Sequence, residues 1–187
     1  VRSCFNSIQP FPIENILLHD DKIPSLKDFD LLPFEKNQQT AFPFIGGSKS
    51  GKKRIDHYFW ETEKISTYKD TRNGLIGNDY SSKLSAWLAN GSLSAREIYW
   101  EIKSFEKERK KNQSTYWLVF ELIWRDFFKY ISLKHGNKIF KIGGILDKNY
   151  NWNTDKKKLQ SWIYGSTDES FVNANMIELL KTGWMSN

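Results

Sequence analysis

Apolar residues recur three and four positions apart over long stretches of this chain, and no stretch sustains the two-residue alternation of a strand. Ile98, Ile102 and Phe105 fall on one face of a segment whose other face carries Lys103, Lys107, Arg109, Lys110 and Lys111. Ser94-Ala95-Arg96-Glu97 precedes it as a capping box, the serine holding the first amides and the glutamate reaching back, so a helix is predicted from Ser94 to about Lys110. A second helix is predicted from a cap at Ser114 or Thr115 to about Lys134, stopped by Gly136. A third runs from Asp155 to Tyr164 and ends at Gly165, and a fourth from Asp168 to Lys181 ends at Gly183. His57 to Lys69 also fits one amphipathic helix. The fold class is all-α.

Proline placement sets the domain organisation. All five prolines lie in the first 43 residues, and residues 44–187 hold none. Proline is excluded from helix interiors, so residues 1–50 read as an irregular lead-in and residues 51–187 as a helical unit. There is no internal repeat. The length of 187 residues suits one domain with one core, and 39% hydrophobic with 27% charged residues is ordinary for a globular protein. No apolar run reaches the length of a membrane span, and no secretory signal pattern opens the chain. The first residue is Val1, so the chain is expected to begin inside a larger reading frame. With Cys4 alone, no intrachain disulfide and no thiolate zinc site are expected, which favours a cytoplasmic or other reducing intracellular compartment. A net charge of +6 and eight tryptophans fit a polyanionic partner such as nucleic acid; solubility and core packing explain them equally.

Candidate chemistry falls in three places. Gly46-Gly47-Ser48-Lys49-Ser50-Gly51-Lys52-Lys53 nearly matches a phosphate-binding loop, but Lys53 replaces the magnesium-binding hydroxyl and Pro43 breaks the strand such a loop follows. A basic flexible loop is the expectation there. His19, His57 and His135 have no metal-ligand spacing and read as unrelated surface or capping residues. Ser81, Ser82, Lys83, Leu84 and Ser85 lead into an apolar helix around Trp87, where hydroxyls, amides and an ammonium can hold phosphate or merely cap.

The segment from Tyr116 to Phe128 is apolar nearly all round, so its helix is expected to be deeply buried. Within it, Glu121, Trp124, Arg125 and Phe128 follow i, i+3, i+4, i+7 spacing and share a face. Two readings stand. Glu121 and Arg125 form a structural ion pair, or the face is a cavity wall offering an acceptor, an aromatic plate and a cation to a planar anionic ligand.

Several segments together resemble the flavin domain of DASH-type cryptochromes of the DNA photolyase/cryptochrome family. They are Tyr68-Lys69-Asp70-Thr71-Arg72-Asn73-Gly74-Leu75-Ile76-Gly77, Tyr80 to Ser85, Trp87-Leu88-Ala89, the block from Ser114 to Asp126, and Thr182-Gly183-Trp184-Met185-Ser186-Asn187. The same order runs through roughly residues 40–187.

The resemblance implies a helical domain holding FAD in a bent conformation. By it, Tyr68 and the Ser81–Ser85 segment contact the phosphates and sugar alcohol. Arg125 lines the same cavity, and Trp184 and Asn187 adjoin the cofactor. Glu121 and Trp124 face a cyclobutane pyrimidine dimer flipped from single-stranded DNA, and Trp152 is the outermost tryptophan of an electron-transfer chain. It further implies blue-light-dependent repair, in which reduced FAD lends an electron to the dimer. Glu121 would then stabilise the dimer radical anion by donating a hydrogen bond, which needs its protonated form. The alternatives are a signalling photoreceptor and a non-catalytic remnant. An antenna domain, with a folate as a possible pigment, belongs to the family but has no counterpart in these residues. The helices expected after Asn187 would complete the FAD cavity, and half a cavity should bind FAD poorly, so the chain alone is expected to be inactive. Ala86 and Ala95 stand where prolines are usual, and Asn173 where an aspartate is usual.

Overall fold

The structure is a computed structural model that describes residues 24–33, 35 and 37–185. Cys4, His19 and Asn187 lie outside the described residues. The described residues form helices and turns with no strand. A 3₁₀ turn covers Leu26–Phe29, and the helices are α1 (Ser48–Ile55), α2 (Tyr68–Thr71), α3 (Ser85–Ala89), α4 (Ala95–Glu108), α5 (Gln113–His135), α6 (Lys156–Ile163) and α7 (Ser170–Thr182).

Helix α4 follows its pattern. Ile98, Ile102 and Phe105 are fully buried, and Ser94 Oγ accepts from the Arg96 amide. Glu97 does not close the expected box but turns to Lys52 Nζ at 3.2 Å. The cap of α5 is Asn112, not Ser114 or Thr115: its Oδ1 accepts from the Ser114 and Thr115 amides at 2.9 and 3.0 Å. Thr115 supplies the reciprocal bond to the Asn112 amide and donates to Glu106 at 2.8 Å. Ser114 Oγ instead accepts the Lys69 amide, and the Asn112 side-chain amide donates to Ser66 O, so the cap ties α5 to the start of α2.

The single helix expected over His57–Lys69 is broken. A π-helical turn over Asp56–Glu61 ends where Thr62 Oγ1 donates back to His57 O. Glu63 takes a left-handed φ of 51°, and a 3₁₀ turn over Lys64–Thr67 leads into α2. Tyr58, Phe59 and Ile65 from either side of the break are all fully buried in one core. That core is completed by Ile55, Tyr68, Trp87, Leu93 and Leu118. Phe42 from the lead-in stacks on Trp184 at 4.6 Å and meets Trp87 at 5.4 Å, closing the core over the end of α7.

The phosphate-loop-like string is not a flexible loop, because residues 48–55 are helix α1. Gly51 is there for packing: a Cβ at that position would fall 2.8–3.1 Å from three Leu93 side-chain atoms. Gly165 turns the chain between α6 and α7 with φ 63°. Asn173 stitches that turn, accepting from the Thr167 amide and hydroxyl at 2.8 and 2.7 Å and donating to Thr167 O at 2.6 Å. An ionised aspartate could accept but not donate, so the asparagine found here makes one bond more than the usual residue.

Deep burial of α5 holds only for its first half. Ser114, Thr115, Leu118 and Leu122 are buried, but Ile123, Phe127, Phe128 and Leu133 are exposed. The physical reason is that α2 and α4 pack on α5, and these elements cover its N-terminal turns.

Candidate functional site

The site grows from the stretch between α2 and α3. Arg54, on α1 and 2% exposed, holds this stretch from behind. Its Nε donates to Ser82 O at 3.0 Å, and its Nη2 to Asn78 O and Ser81 O, both at 2.9 Å. Its Nη1 meets Asp79 Oδ1 at 2.6 Å. Burial works against the Asp79 charge, but hydrogen bonds from Arg54 and His57 hold its carboxyl below the usual range. His57 spans Asp79 and Glu61 at 3.1 and 2.9 Å and is therefore part of this network, not an isolated surface histidine. His135 sits in the last turn of α5, as a capping residue would.

Lys83 has a left-handed φ of 54° and is 3% exposed. Its Nζ is buried without a hydrogen-bond acceptor, 3.6 Å from the Tyr80 ring centre and 5.3 Å from that of Trp184. Burial lowers its pKa, with the Tyr80 side chain and Glu178 opposing and Arg54 adding to the shift.

Two adjoining cavities meet at this turn. One, of about 370 Å³, is lined by Tyr68, Ser82, Leu84, Ser85 and Leu88 on one side and by Leu118, Glu121, Leu122 and Arg125 of α5 on the other. The second, also about 370 Å³, shares Tyr68, Ser82, Leu84 and Ser85 and adds Tyr80, Ser81, Lys83, Trp184 and Met185. Burial pushes the Tyr68 hydroxyl up to about 12, the Glu121 charge adding to the effect and Arg72 opposing it. The joint chemistry is a buried ammonium and hydroxyls at one end, apolar walls in the middle, and a guanidinium with a carboxylate at the other.

Glu121 and Arg125 do not pair within the helix. Glu121 Oε1 meets Arg72 Nη1 at 2.9 Å, and Arg125 Nη1 meets Asp126 at 3.3 Å. Arg72 wins because α2 lies against α5, which brings a fixed guanidinium to the carboxylate. Trp124 is not brought into the cavity with them. It is 40% exposed, stacked on Phe128 at 5.6 Å and edge-on to Phe120 and Phe127. Trp152 is 63% exposed, with the Tyr150 ring at 5.7 Å. Arg54, Arg72 and His57 escaped the sequence reading. Arg72 stood inside a quoted motif, but Arg54 sits 24 or more residues from each carbonyl it binds, and nothing local points to it.

Residues 117–187 match the family model described as the FAD binding domain of DNA photolyase. The chain is 50% identical to cryptochrome DASH of Xenopus laevis over 91% of its own length and 32% of that protein. It is 46% identical to cryptochrome DASH of Synechocystis sp. over its whole length and 38% of that protein. The chain thus spans about a third of the length of the curated relatives it matches. The crystal structure of a Synechocystis cryptochrome superposes with a TM-score of 0.83 at 45% identity, over 92% of this chain and 35% of that one. A class III photolyase from Agrobacterium tumefaciens, 21% identical with a TM-score of 0.74, shares the fold.

The residues present fit FAD. An orphaned buried ammonium beside serine hydroxyls suits an anionic diphosphate, and apolar walls suit a flat ring system. The helical architecture, the domain match and the relatives agree: FAD is its cofactor, and this chain belongs to the DNA photolyase/cryptochrome family, as part of the FAD-binding domain of a DASH-type cryptochrome.

Proposed function

We propose that this chain forms one wall of an FAD site in a protein that repairs cyclobutane pyrimidine dimers in single-stranded DNA under blue light. One observation carries the reading: Glu121 and Arg125 of α5 line the same cavity as Ser82 and Ser85. Lys83, Ser81, Ser82 and Ser85 bind the diphosphate, whose oxygens give the buried ammonium charged hydrogen-bond acceptors. Tyr68 and Leu84 shape the middle of the cavity. Arg125 closes its far end, and Trp184 packs beside Lys83 with Phe42 behind it. Asn187, outside the described residues, is assigned to the cofactor by the family resemblance alone. When bound, FAD supplies the light-driven electron, and the residues of this chain supply position and charge.

Glu121 and Trp124 present the lesion side, and exposed Trp152 carries electrons inward from solvent. The exposed Trp124 ring offers a stacking plate to an extruded base, which leaves a single strand at least cost. The net charge of +6 attracts the phosphate backbone.

The Arg72–Glu121 pair favours a second reading, a light-signalling photoreceptor without repair, because Glu121 can donate to a lesion only if that pair opens. Two measurements decide. The whole protein from the same genome should purify with bound flavin absorbance near one equivalent; a colourless protein refutes the FAD wall. The whole protein from the same genome should clear dimers from single-stranded DNA under blue light; bound flavin without repair supports the photoreceptor.

A further inference from the structure

We infer that Arg54 is the positioning residue of the Ser81–Ser85 turn, an inference that rests on the FAD reading above. The guanidinium touches neither cavity, so it acts on a ligand only through the backbone it holds. It donates to three carbonyls of the stretch, those of Asn78, Ser81 and Ser82, and to the Asp79 carboxylate. Two aromatic rings also lie against it, with Cζ 4.8 Å from the Phe44 centroid and 5.0 Å from the Tyr58 centroid. Aromatic contacts together with four acceptors hold the planar fork in place.

The consequence follows from peptide geometry. In a trans peptide the amide N–H points opposite its carbonyl. With the Ser81 and Ser82 carbonyls turned to Arg54, the amides of Ser82 and Lys83 point away from the guanidinium. Ser81, Ser82 and Lys83 line the diphosphate-sized cavity, while Arg54 does not. Lys83 also holds a left-handed backbone that L side chains resist and that persists only where the surroundings impose it. Arg54, gripping the carbonyl immediately before Lys83, is the group in place to impose it.

A residue that merely fills the core would affect FAD only through the folded fraction. A positioning residue changes affinity in fully folded protein. The test uses the whole protein from the same genome with Arg54→Lys, Arg54→Met and, as a core control, Ile102→Val. FAD dissociation constants are measured by flavin fluorescence at a temperature where circular dichroism shows every variant fully folded. Arg54→Met should weaken FAD about tenfold or more, from lost charged hydrogen bonds. Arg54→Lys should recover part of that loss, since one ammonium keeps the charge but cannot span three carbonyls. Ile102→Val should lower the melting temperature and leave affinity within about twofold of wild type. If Arg54→Met does not fold, Arg54→Lys decides alone by its FAD affinity against Ile102→Val. Wild-type affinity in the deciding Arg54 variant overturns the inference and leaves the FAD reading standing. A wild-type whole protein that takes up no FAD overturns both.

Discussion

Arg72 Nη1 lies 2.9 Å from Glu121 Oε1, joining the end of the short helix α2 to the middle of α5 beside the cavity that Glu121 lines. Both side chains are about a third exposed or less, so the pair keeps more strength than a surface ion pair. Its Arg72 end also rests 5.6 Å from the Trp117 ring centre.

Breaking this pair should cost modest stability. Arg72→Ala and Glu121→Gln should each destabilise the chain by about 1 kcal/mol, and the double variant should lose less than the sum. Urea unfolding of the four proteins measures the coupling. Strict additivity would mean that the two side chains do not interact in solution.

Stability should depend on pH through His57. Hydrogen bonds to Asp79 and then to Glu61 raise its pKa above the ordinary 6.5, with burial and Arg54 opposing. The folded protein therefore holds this proton more tightly than the unfolded chain. That contribution is fully present below about pH 6.5 and is lost as pH rises through the raised value. His57→Gln should flatten this slope. Melting temperatures of both proteins between about pH 5 and pH 9 would show it, and parallel curves would refute it.

Asn112 both caps α5 and bridges to Ser66 O at 2.8 Å. Asn112→Ala should cost about 1–2 kcal/mol, more than Ser94→Ala, whose cap bond is local. Denaturant midpoints compare the two, and equal losses would assign no value to the bridge.

Gly51→Ala tests the contact between α1 and Leu93. Helix propensity alone favours alanine by about 1 kcal/mol. The new Cβ would meet Leu93 Cγ and Cδ1 at 2.8 and 2.9 Å, and Leu93 is buried with little room to move. Net destabilisation of about 1 kcal/mol is expected, with the alanine turning neutral or favourable once Leu93 is also shortened to alanine. Calorimetry of the single and double variants reads the sign.

Helix α4 was legible because its signals are local: Ser94 before it, Ile98, Ile102 and Phe105 at helical spacing, lysines opposite. Three features were not. The amphipathic pattern runs on through Glu63, where the chain takes a left-handed backbone that spacing alone does not signal. Spacing of four made Arg125 the natural partner of Glu121, but Arg72, some fifty residues away, arrives by tertiary packing. Arg54 directly follows the string that looked like a phosphate loop. Its work is done on backbone carbonyls beyond residue 77, which carry no side-chain signature. The turn from Ser81 to Ser85 was legible through its residue types, whereas what holds it in shape was not.

The placement of the Lys83 ammonium within 5.3 Å of the Trp184 ring centre has an optical corollary. A cation so near an indole shapes its excited state, and any anion that draws the ammonium aside would change the emission. With the other seven tryptophans replaced by phenylalanine where folding permits, Trp184 would serve as a built-in gauge of occupancy, readable with ADP or pyrophosphate alone and without any flavin colour.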